Sequence, residues 1–373
     1  MYRVLAFTIK PRASADTRYR ILQYIPFAER DGVQVNHHSL MSDSFFRWQI
    51  ENSHLIARLL LLPWLLILRL WQVLMEAPRY DAVWISREMA PLGPPFFEWL
   101  LVWRCRRVVM DVDDALHIVD KEGSRWLPRL LRDYGKFGRM ANRYAVVVCG
   151  NDFLADFYRS HGATVRIVPT VVNVDDYASV EPSPSPLIRI GWIGTPLNRH
   201  HVDMVGTALA ALARETPFEV VFVGIDEPLN WQIPHLRYLR WTLADEISFF
   251  NEFDIGIMPL KDSLFARGKC AFKLIQYMAA GLPVVASPVG ANTDVVHDGI
   301  DGFLANTDER WVTCLRQLIE VAELRQSMGK KGREMVREHY SVQSVWPMYR
   351  TILSGAPNRR TNDETTASLL DTK

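Results

Sequence analysis

The chain has 373 residues, of which 49% are hydrophobic and 23% are charged, so it is long enough for two globular domains of ordinary size. Its 43 Lys and Arg balance 42 Asp and Glu, which argues against nucleic acid as the main partner. The four cysteines are far apart and form no Cys-x-x-Cys pair, which argues against a disulfide framework or a structural zinc site and favours a cytoplasmic location.

The first predicted strand, residues 3–8, is apolar and lacks the layout of a signal peptide. The following helix opens at Ser14-Ala15-Asp16-Thr17-Arg18. A helix start after a strand suits an anionic ligand, and simple capping by Ser14 or Asp16 is the alternative.

Residues 55–75 are the one candidate for membrane contact. Their apolar core, residues 59–68, is about half the length that spans a bilayer. Arg58 and Arg69 flank this core and share a helical face with Gln72, while leucines and tryptophans cover the rest. The pattern predicts either a helix in a membrane interface or a helix buried against the sheet.

Further short apolar runs predict strands, and helical segments separate them. The runs are 82–86, 108–112, 146–150, 166–169, 188–193, 220–224, 253–258 and 284–287. This alternation predicts an α/β fold with two doubly wound, Rossmann-like domains facing a central cleft, where ligands bind.

The three prolines of residues 181–186 predict a stiff linker between these domains. We therefore predict a first domain at 1–180 and a second domain at 187–340. A closing helical segment at 341–355, interrupted near Pro347, and a disordered, polar tail at 356–373 complete the prediction.

Three carboxylates and an imidazole lie at the end of the strand at 108–112 or just after it, namely Asp111, Asp113, Asp114 and His117. An Asp-x-Asp pair can hold a divalent cation, whereas Asp114 is also a good helix N-cap. A metal is not favoured here.

Two features of the second domain are suited to a nucleotide. Gly194 and Thr195 follow its first strand, where glycine permits close approach to a phosphate, although a tight turn is the alternative. Trp241 ends the strand-like run 236–241 and can line a nucleobase slot, with core packing as the equal alternative.

Residues 267–286 contain the most informative helix. At about 100° per residue, Lys269, Lys273 and Gln276 fall on one helical face. Gly268 opens the predicted helix, and lysines on a first turn oppose the helix dipole unless an anion is bound. The segment predicts a phosphate site, with an amphipathic surface helix and solvated lysines as the alternative.

Taken together, these features resemble the glycosyltransferases of family four. The resemblance extends over nearly the whole chain, up to about residue 353. The matching segments are 17–24, 87–95, 111–115, 190–196 and 272–287. The resemblance implies a GT-B fold and a retaining hexosyltransferase activity that moves a sugar from a UDP- or GDP-sugar to a hydroxyl. It implies neither a permanently bound cofactor nor a metal.

The resemblance also implies roles for individual residues. The donor is expected at Gly194, Thr195, Trp241 and Gln276, and its diphosphate at Lys269 and Lys273. Asp113 and His117 are expected to position the acceptor hydroxyl. Acceptor binding is expected at Arg18, Arg87, Glu88 and Asp114.

The chain departs from the family where two glutamates and an arginine are common, because it carries Gly268, Gln276 and Thr195 there. Two alternatives therefore stay open: a GT-B sugar-nucleotide epimerase, and a non-catalytic scaffold that binds sugar nucleotides. A dinucleotide oxidoreductase is least favoured, because no Gly-x-Gly-x-x-Gly run follows the first strand.

The expected acceptor is a saccharide or a lipid-linked sugar used in cell-surface polysaccharide or glycolipid assembly. Residues 55–75 and the basic Arg104, Arg106 and Arg107 predict peripheral contact with the inner face of a membrane.

Overall fold

The computed structural model describes residues 1–51, 55–119, 131–225 and 228–355 and forms two six-stranded sheets from them. The first sheet consists of β1 Tyr2–Thr8, β2 Val33–Ser39, β3 Ala82–Ser86, β4 Val108–Val112, β5 Val146–Cys149 and β6 Val165–Ile167. The second consists of β7 Arg189–Ile193, β8 Glu219–Val223, β9 Leu236–Leu239, β10 Ile255–Met258, β11 Val284–Ala286 and β12 Gly302–Leu304. The predicted tail at 356–373 lies outside the described residues.

Helices connect these strands. In the first half of the chain they are α1 Ala15–Arg20, α2 Ile25–Arg30, α3 Asp43–Glu51, α4 Leu55–Trp71, α5 Phe96–Arg104, α6 Lys136–Met140 and α7 Asp152–Ser160. In the second half they are α8 Arg199–Val202, α9 Gly206–Leu212, α10 Leu264–Arg267, α11 Phe272–Ala279, α12 Asn292–Val295, α13 Asp308–Glu320, α14 Ala322–His339 and α15 Val342–Ser354.

Both sheets are parallel, with strand orders β2-β1-β3-β4-β5-β6 and β12-β11-β10-β7-β8-β9. The strand order reverses between β1 and β3 in the first sheet and between β7 and β10 in the second. Ligands of such folds bind outside the carboxyl ends of the strands at these reversals. The predicted α/β fold with two doubly wound sheets is confirmed, while the predicted domain boundaries stay predictions.

The central strands are apolar because helices cover both faces of each sheet. Every residue of β3, β4 and β7 is buried. The edge strand β2 contains polar residues and half-exposed positions, and β12 has three residues. Neither strand was predicted, because their residues lack the apolar run that identifies a buried strand.

The last helix, α15, returns to the first sheet. Its Tyr349 ring lies 4.7 Å from the ring of Tyr24 and 4.9 Å from that of Trp84. The Tyr349 hydroxyl donates a 2.5 Å hydrogen bond to buried Asp111. The helix continues through Pro347, so the predicted interruption there is wrong.

The orientation of α4 differs from that of a helix buried against the sheet, and contact with a membrane interface stays a prediction. Arg69 and Gln72 are buried, and Arg69 donates a 2.8 Å hydrogen bond to the backbone oxygen of Thr8. The polar face therefore points into the protein, and apolar side chains point out, among them Trp64 and Trp71. Among the described helices, none combines the length and the hydropathy that crossing a membrane requires.

Candidate functional site

The turn after β7 is built by close packing around two glycines. A Cβ on Gly194 would lie 2.4 Å from the ring of Trp192, and a Cβ on Gly224 would lie 2.2 Å from the Gly194 oxygen. The same position on Gly224 lies 3.5 Å from the Cβ of Trp241. The structure therefore brings Gly194 and Trp241 together at the carboxyl ends of β7, β8 and β9.

Both predicted lysines lie beside this turn. The Lys273 ammonium is 4.6 Å from the centre of the Trp192 ring. The Lys269 ammonium is 3.4 Å from the side-chain oxygen of Asn198, whose amide nitrogen donates to the Thr195 hydroxyl at 3.2 Å. Within the described ranges, neither lysine forms an ion pair with a carboxylate. The site is therefore positively charged, and an anionic ligand could neutralise the two lysines.

Sequence reasoning missed His201, which lies in the same cluster. Its Nδ1 accepts a 3.2 Å hydrogen bond from the backbone of Lys261, which leaves the proton on Nε2. Burial lowers the pKa of His201 to about 3, and Lys269 and Lys273 contribute to the shift. The ring is therefore neutral at pH 7 and can donate from Nε2. His201 belongs to none of the motifs considered in the sequence, so proximity in the fold identifies it.

Desolvation lowers the pKa of Lys273 to about 7, and the charge of Lys269 adds to the effect. A pKa shifted this far at a sheet's carboxyl edge is typical of a functional site. A bound polyanion would favour the charged form of Lys273, because it supplies the counter-charge that the cluster lacks.

The predicted start of the lysine helix is wrong. Gly268 ends α10, and α11 begins at Phe272, after Ala271 with φ of 51°. Lys269 therefore precedes the helix and does not share a helical face with Lys273. Left-handed backbone is costly for alanine, so other contacts must hold this turn in place.

The first domain supplies those contacts. The Asn151 side chain donates to the backbone oxygens of Arg267 and Lys269, at 3.2 and 3.1 Å. A Cβ on Gly268 would lie 2.5 Å from the Cβ of Ala115. The position where many family members carry a glutamate is thus pressed against the loop after β4.

Gln276 is also held by the first domain. It is buried, and its amide nitrogen lies 3.2 Å from the Tyr177 hydroxyl and 3.4 Å from that of Tyr19. Tyr19 belongs to α1, and its ring lies 4.4 Å from the ring of Phe272. The expected contact of Gln276 with a ribose stays a prediction.

Arg18 faces the second domain, and its expected role in acceptor binding stays a prediction. It pairs with Glu246 at 2.6 Å and lies 5.7 Å from the centre of the Trp241 ring. The Tyr19 hydroxyl donates to the other oxygen of Glu246 at 3.1 Å. We call Arg18, Tyr19 and Glu246 the α1 clasp. Through it, α1 contacts two predicted donor residues, Trp241 and Gln276.

Three carboxylates surround Arg87, which is one of the predicted acceptor residues. Arg87, with φ of 70°, donates two hydrogen bonds to Asp113, at 2.7 and 3.1 Å. It also lies 3.4 Å from Asp16 and 3.9 Å from Asp114. Burial raises the pKa of Asp16, but Arg87 and Lys10 outweigh it and hold that pKa at about 2. These carboxylates are therefore committed to Arg87.

A cavity of about 260 Å³ lies beside Arg87 at the carboxyl end of the first sheet. Glu88 lines it and pairs with Arg132 at 2.9 Å and Lys136 at 2.8 Å. The remaining lining residues are Ile9, Lys10, Asp16, Met41, Phe46, Ser86, Arg87, Pro91, Leu116 and Arg132. The cavity combines charged and apolar walls, and it contains two of the four predicted acceptor residues.

His117 is held by α7. Its ring stacks on Phe157 at 3.6 Å, and its Nδ1 is buried without a hydrogen-bond partner among the described residues. Burial, with a contribution from His161, lowers the pKa of His117 to about 4, so the ring is neutral at pH 7. The residues described by the structure contain no group of three or more His, Cys, Asp or Glu side chains arranged to hold a metal.

Part of the chain is similar in sequence to known proteins. Residues 187–321 match the family model of Glycosyl transferases group 1. The N-acetyl-alpha-D-glucosaminyl L-malate synthase of Bacillus anthracis is 30% identical over 158 residues, 40% of this chain and 41% of that protein. The capsular polysaccharide biosynthesis glycosyltransferase CapM of Staphylococcus aureus is 27% identical over 117 residues, 30% of each chain. The matched parts thus cover less than half of these relatives.

Solved structures match the fold over nearly the whole chain. A glycosyltransferase from Rickettsia africae has a TM-score of 0.68 and 15% identity, covering 95% of this chain and 99% of that one. Anabaena HepE, in complex with UDP and glucose, has a TM-score of 0.67 and 13% identity, covering 95% and 100%. These similarities show the GT-B fold.

Proposed function

We propose that this chain, whose second domain is a group 1 glycosyltransferase domain, transfers a sugar from a nucleoside-diphosphate sugar to an acceptor hydroxyl. The observation that carries the proposal is the cluster of Lys269, Lys273 and the neutral His201 beside the Gly194 turn. It lies at the carboxyl edge of a doubly wound sheet, where such folds bind nucleotides.

The diphosphate is assigned to this cluster. Lys269 and Lys273 supply its counter-charge, and the Nε2–H of His201 and the Thr195 hydroxyl supply neutral donors. The UDP complexes of HepE make UDP-sugars the first donors to test, with GDP-sugars as the alternative. The base is assigned to Trp241 and the ribose to Gln276, both of which the α1 clasp contacts.

Catalysis follows from the change in charge during transfer. As the bond between sugar and diphosphate breaks, negative charge grows on the leaving oxygen. Fixed cations aimed at that oxygen stabilise the transition state more than the ground state. We assign this role to Lys269 and Lys273.

We further propose that transfer retains the anomeric configuration, with attack from the side of the leaving group. This route requires no dedicated carboxylate base, because the leaving diphosphate oxygen takes the proton of the acceptor hydroxyl. It accords with Asp113, which is committed to a two-point contact with Arg87. Asp113 and Arg87 would then position the acceptor together.

The acceptor is assigned to the cavity beside Arg87 and Glu88. Its charged and apolar walls suit a saccharide or a lipid-linked sugar of cell-surface polysaccharide or glycolipid assembly. Work on such an acceptor would place the protein in the cytoplasm, at the inner face of a membrane, with contact through residues 55–75. Asp114 and His117 remain candidates for positioning the acceptor hydroxyl.

The test measures donor binding by thermal shift and transfer by release of UDP or GDP. A sugar nucleotide at a hundred times its Kd should stabilise the protein by about 2.7 kcal/mol. We expect Lys273→Ala to abolish most of this shift and at least about 99% of turnover, because it removes a charge at the leaving group. Lys330→Ala, at an exposed position of α14, is the matched control.

Two results would contradict the proposal. A Lys273→Ala variant with unchanged donor shift and turnover would remove the phosphate assignment. Donor binding without turnover on any saccharide or lipid-linked acceptor would instead favour the non-catalytic scaffold.

A further inference from the structure

The first domain exposes an unusual apolar surface on two neighbouring elements. On α4 and the π-helical turn Gln72–Glu76 that follows it, the exposed side chains recur every three or four residues. The exposed side chains of α5 have the same spacing of three or four residues. The members are Trp64 at 68% exposed, Ile67 at 60%, Leu68 at 45%, Trp71 at 55%, Met75 at 55%, Phe96 at 48%, Trp99 at 48% and Trp103 at 74%. Since α5 packs against this π-helical turn, we call these residues together the aromatic face.

Buried polar contacts fix the direction of the aromatic face. Arg69 has no exposed surface, donates to the Thr8 oxygen at 2.8 Å and lies 4.7 Å from the centre of the Phe7 ring. Gln72 is buried one turn later. These inward contacts rotate α4 so that its tryptophans point outward, although soluble helices usually present the opposite face. Exposed apolar surface of this extent marks an interaction site.

Charge identifies the kind of partner. Arg104 and Arg106 are exposed at the end of α5, and Arg79 is exposed after the π-helical turn. The acidic residues of these elements already have partners within the protein. Glu98 is buried and accepts a hydrogen bond from the Met89 backbone, and Glu76 pairs with His38. The aromatic face therefore combines tryptophans with a rim of exposed arginines, which matches an anionic lipid surface. A second copy of this chain would instead bring like charges together.

We propose that the aromatic face docks on the surface of an anionic lipid bilayer, with α4 and α5 lying in the interface. Trp64, Trp71, Trp99 and Trp103 would enter the headgroup region, where their amphipathic rings are favoured. Arg104 and Arg106 would contact lipid phosphates.

Docking in this way would also present the acceptor cavity to the membrane. Arg69 anchors α4 to Thr8, and the next residues of the chain, Ile9 and Lys10, line the cavity. This last step rests on the proposed function, because it requires a lipid-linked acceptor. The docking itself does not.

The experiment is co-sedimentation of the full chain with vesicles of phosphatidylcholine, with and without phosphatidylglycerol. We expect binding to the anionic vesicles that weakens as salt is raised. Trp71→Ser with Trp103→Ser should reduce the partition coefficient at least about tenfold. Arg104→Glu with Arg106→Glu should reduce it by about fivefold or more for each arginine. The controls are Ile300→Ser and Arg214→Glu, exposed positions of the second domain.

Each remaining outcome overturns the proposal. Wild-type protein that stays in the supernatant with both vesicles, or variants that bind as wild type does, would exclude docking through this face. A wild-type dimer in analytical ultracentrifugation that the tryptophan variant converts to monomer would assign the face to a second copy. The melting temperature and the donor-induced thermal shift, measured on the same variants, separate a folding defect or a failed donor site from lost docking.

Discussion

Lys273 is the residue through which pH should control donor affinity. Burial and Lys269 lower its pKa to about 7 in the free protein, and a bound diphosphate would raise that pKa. The charged form binds the donor, so affinity should be constant below the free pKa. It should then fall by up to about tenfold per pH unit above it, until the pKa of the complex is reached.

Isothermal titration with a sugar nucleotide from about pH 6 to about pH 9 measures this dependence. Binding at about pH 8 should also take up a proton, seen as a heat that depends on the buffer. The control is Lys273→Arg, because arginine stays charged over this range and should flatten the profile. A flat wild-type profile would mean that Lys273 does not face the phosphates.

Residues close in sequence were the ones that sequence reasoning could place. Gly194 and Thr195 follow one strand, and Lys269 and Lys273 belong to one segment, so local pattern could place each pair. Their roles stay predictions. His201 was missed because its position beside the lysines depends on packing between segments about sixty residues apart. The ion pair of Arg18 with Glu246 was not predicted for the same reason, since Glu246 lies in the other domain.

At the scale of the element, Gly268 shows why the lysine segment could not be predicted in full. Local sequence places a helix start at Gly268, but contacts with Asn151 and Ala115 end one helix there and delay the next to Phe272. The same limit applies to α4, whose periodicity gives an apolar face but not its direction. A buried Arg69 decides that direction. In contrast, β3 and β4 were predicted to the residue because apolar runs identify buried parallel strands.

Gly268→Glu is therefore a decisive substitution. It restores a carboxylate that many family members carry, yet its Cβ alone would lie 2.5 Å from the Cβ of Ala115. Overpacking of this kind costs about 1–3 kcal/mol, so we expect lower turnover and a lower melting temperature instead of a gain. Ala115→Gly in the same chain should restore part of both. A more active Gly268→Glu variant would show that the loop after β4 leaves this position when substrate binds.

At the scale of the whole molecule, the α1 clasp joins the two domains across the proposed donor site. Glu246→Gln keeps its shape and removes the ion pair with Arg18. A charged hydrogen bond contributes about 1.5–3 kcal/mol. Its loss should raise the equilibrium constant for separation of the two domains by roughly tenfold or more. We expect faster association of the sugar nucleotide in stopped-flow experiments and a larger radius of gyration in small-angle scattering. Glu215→Gln, which breaks the pair with Arg316 inside the second domain, is the control.

If Glu246→Gln leaves the association rate and the radius of gyration unchanged, the clasp does not limit access to the donor site. Slower association would mean that Glu246 itself guides the donor, contrary to this assignment.

The return of α15 to the first sheet has a consequence for how the protein is made. The ring of Trp84 and the carboxylate of Asp111 come from the first third of the chain, but Tyr349 covers both. The strands of the first sheet are therefore synthesised long before Tyr349, the residue that covers Trp84 and Asp111 in the core. Until translation reaches the end of α15, the nascent first domain must remain unfinished, with an aromatic pocket open to chaperones.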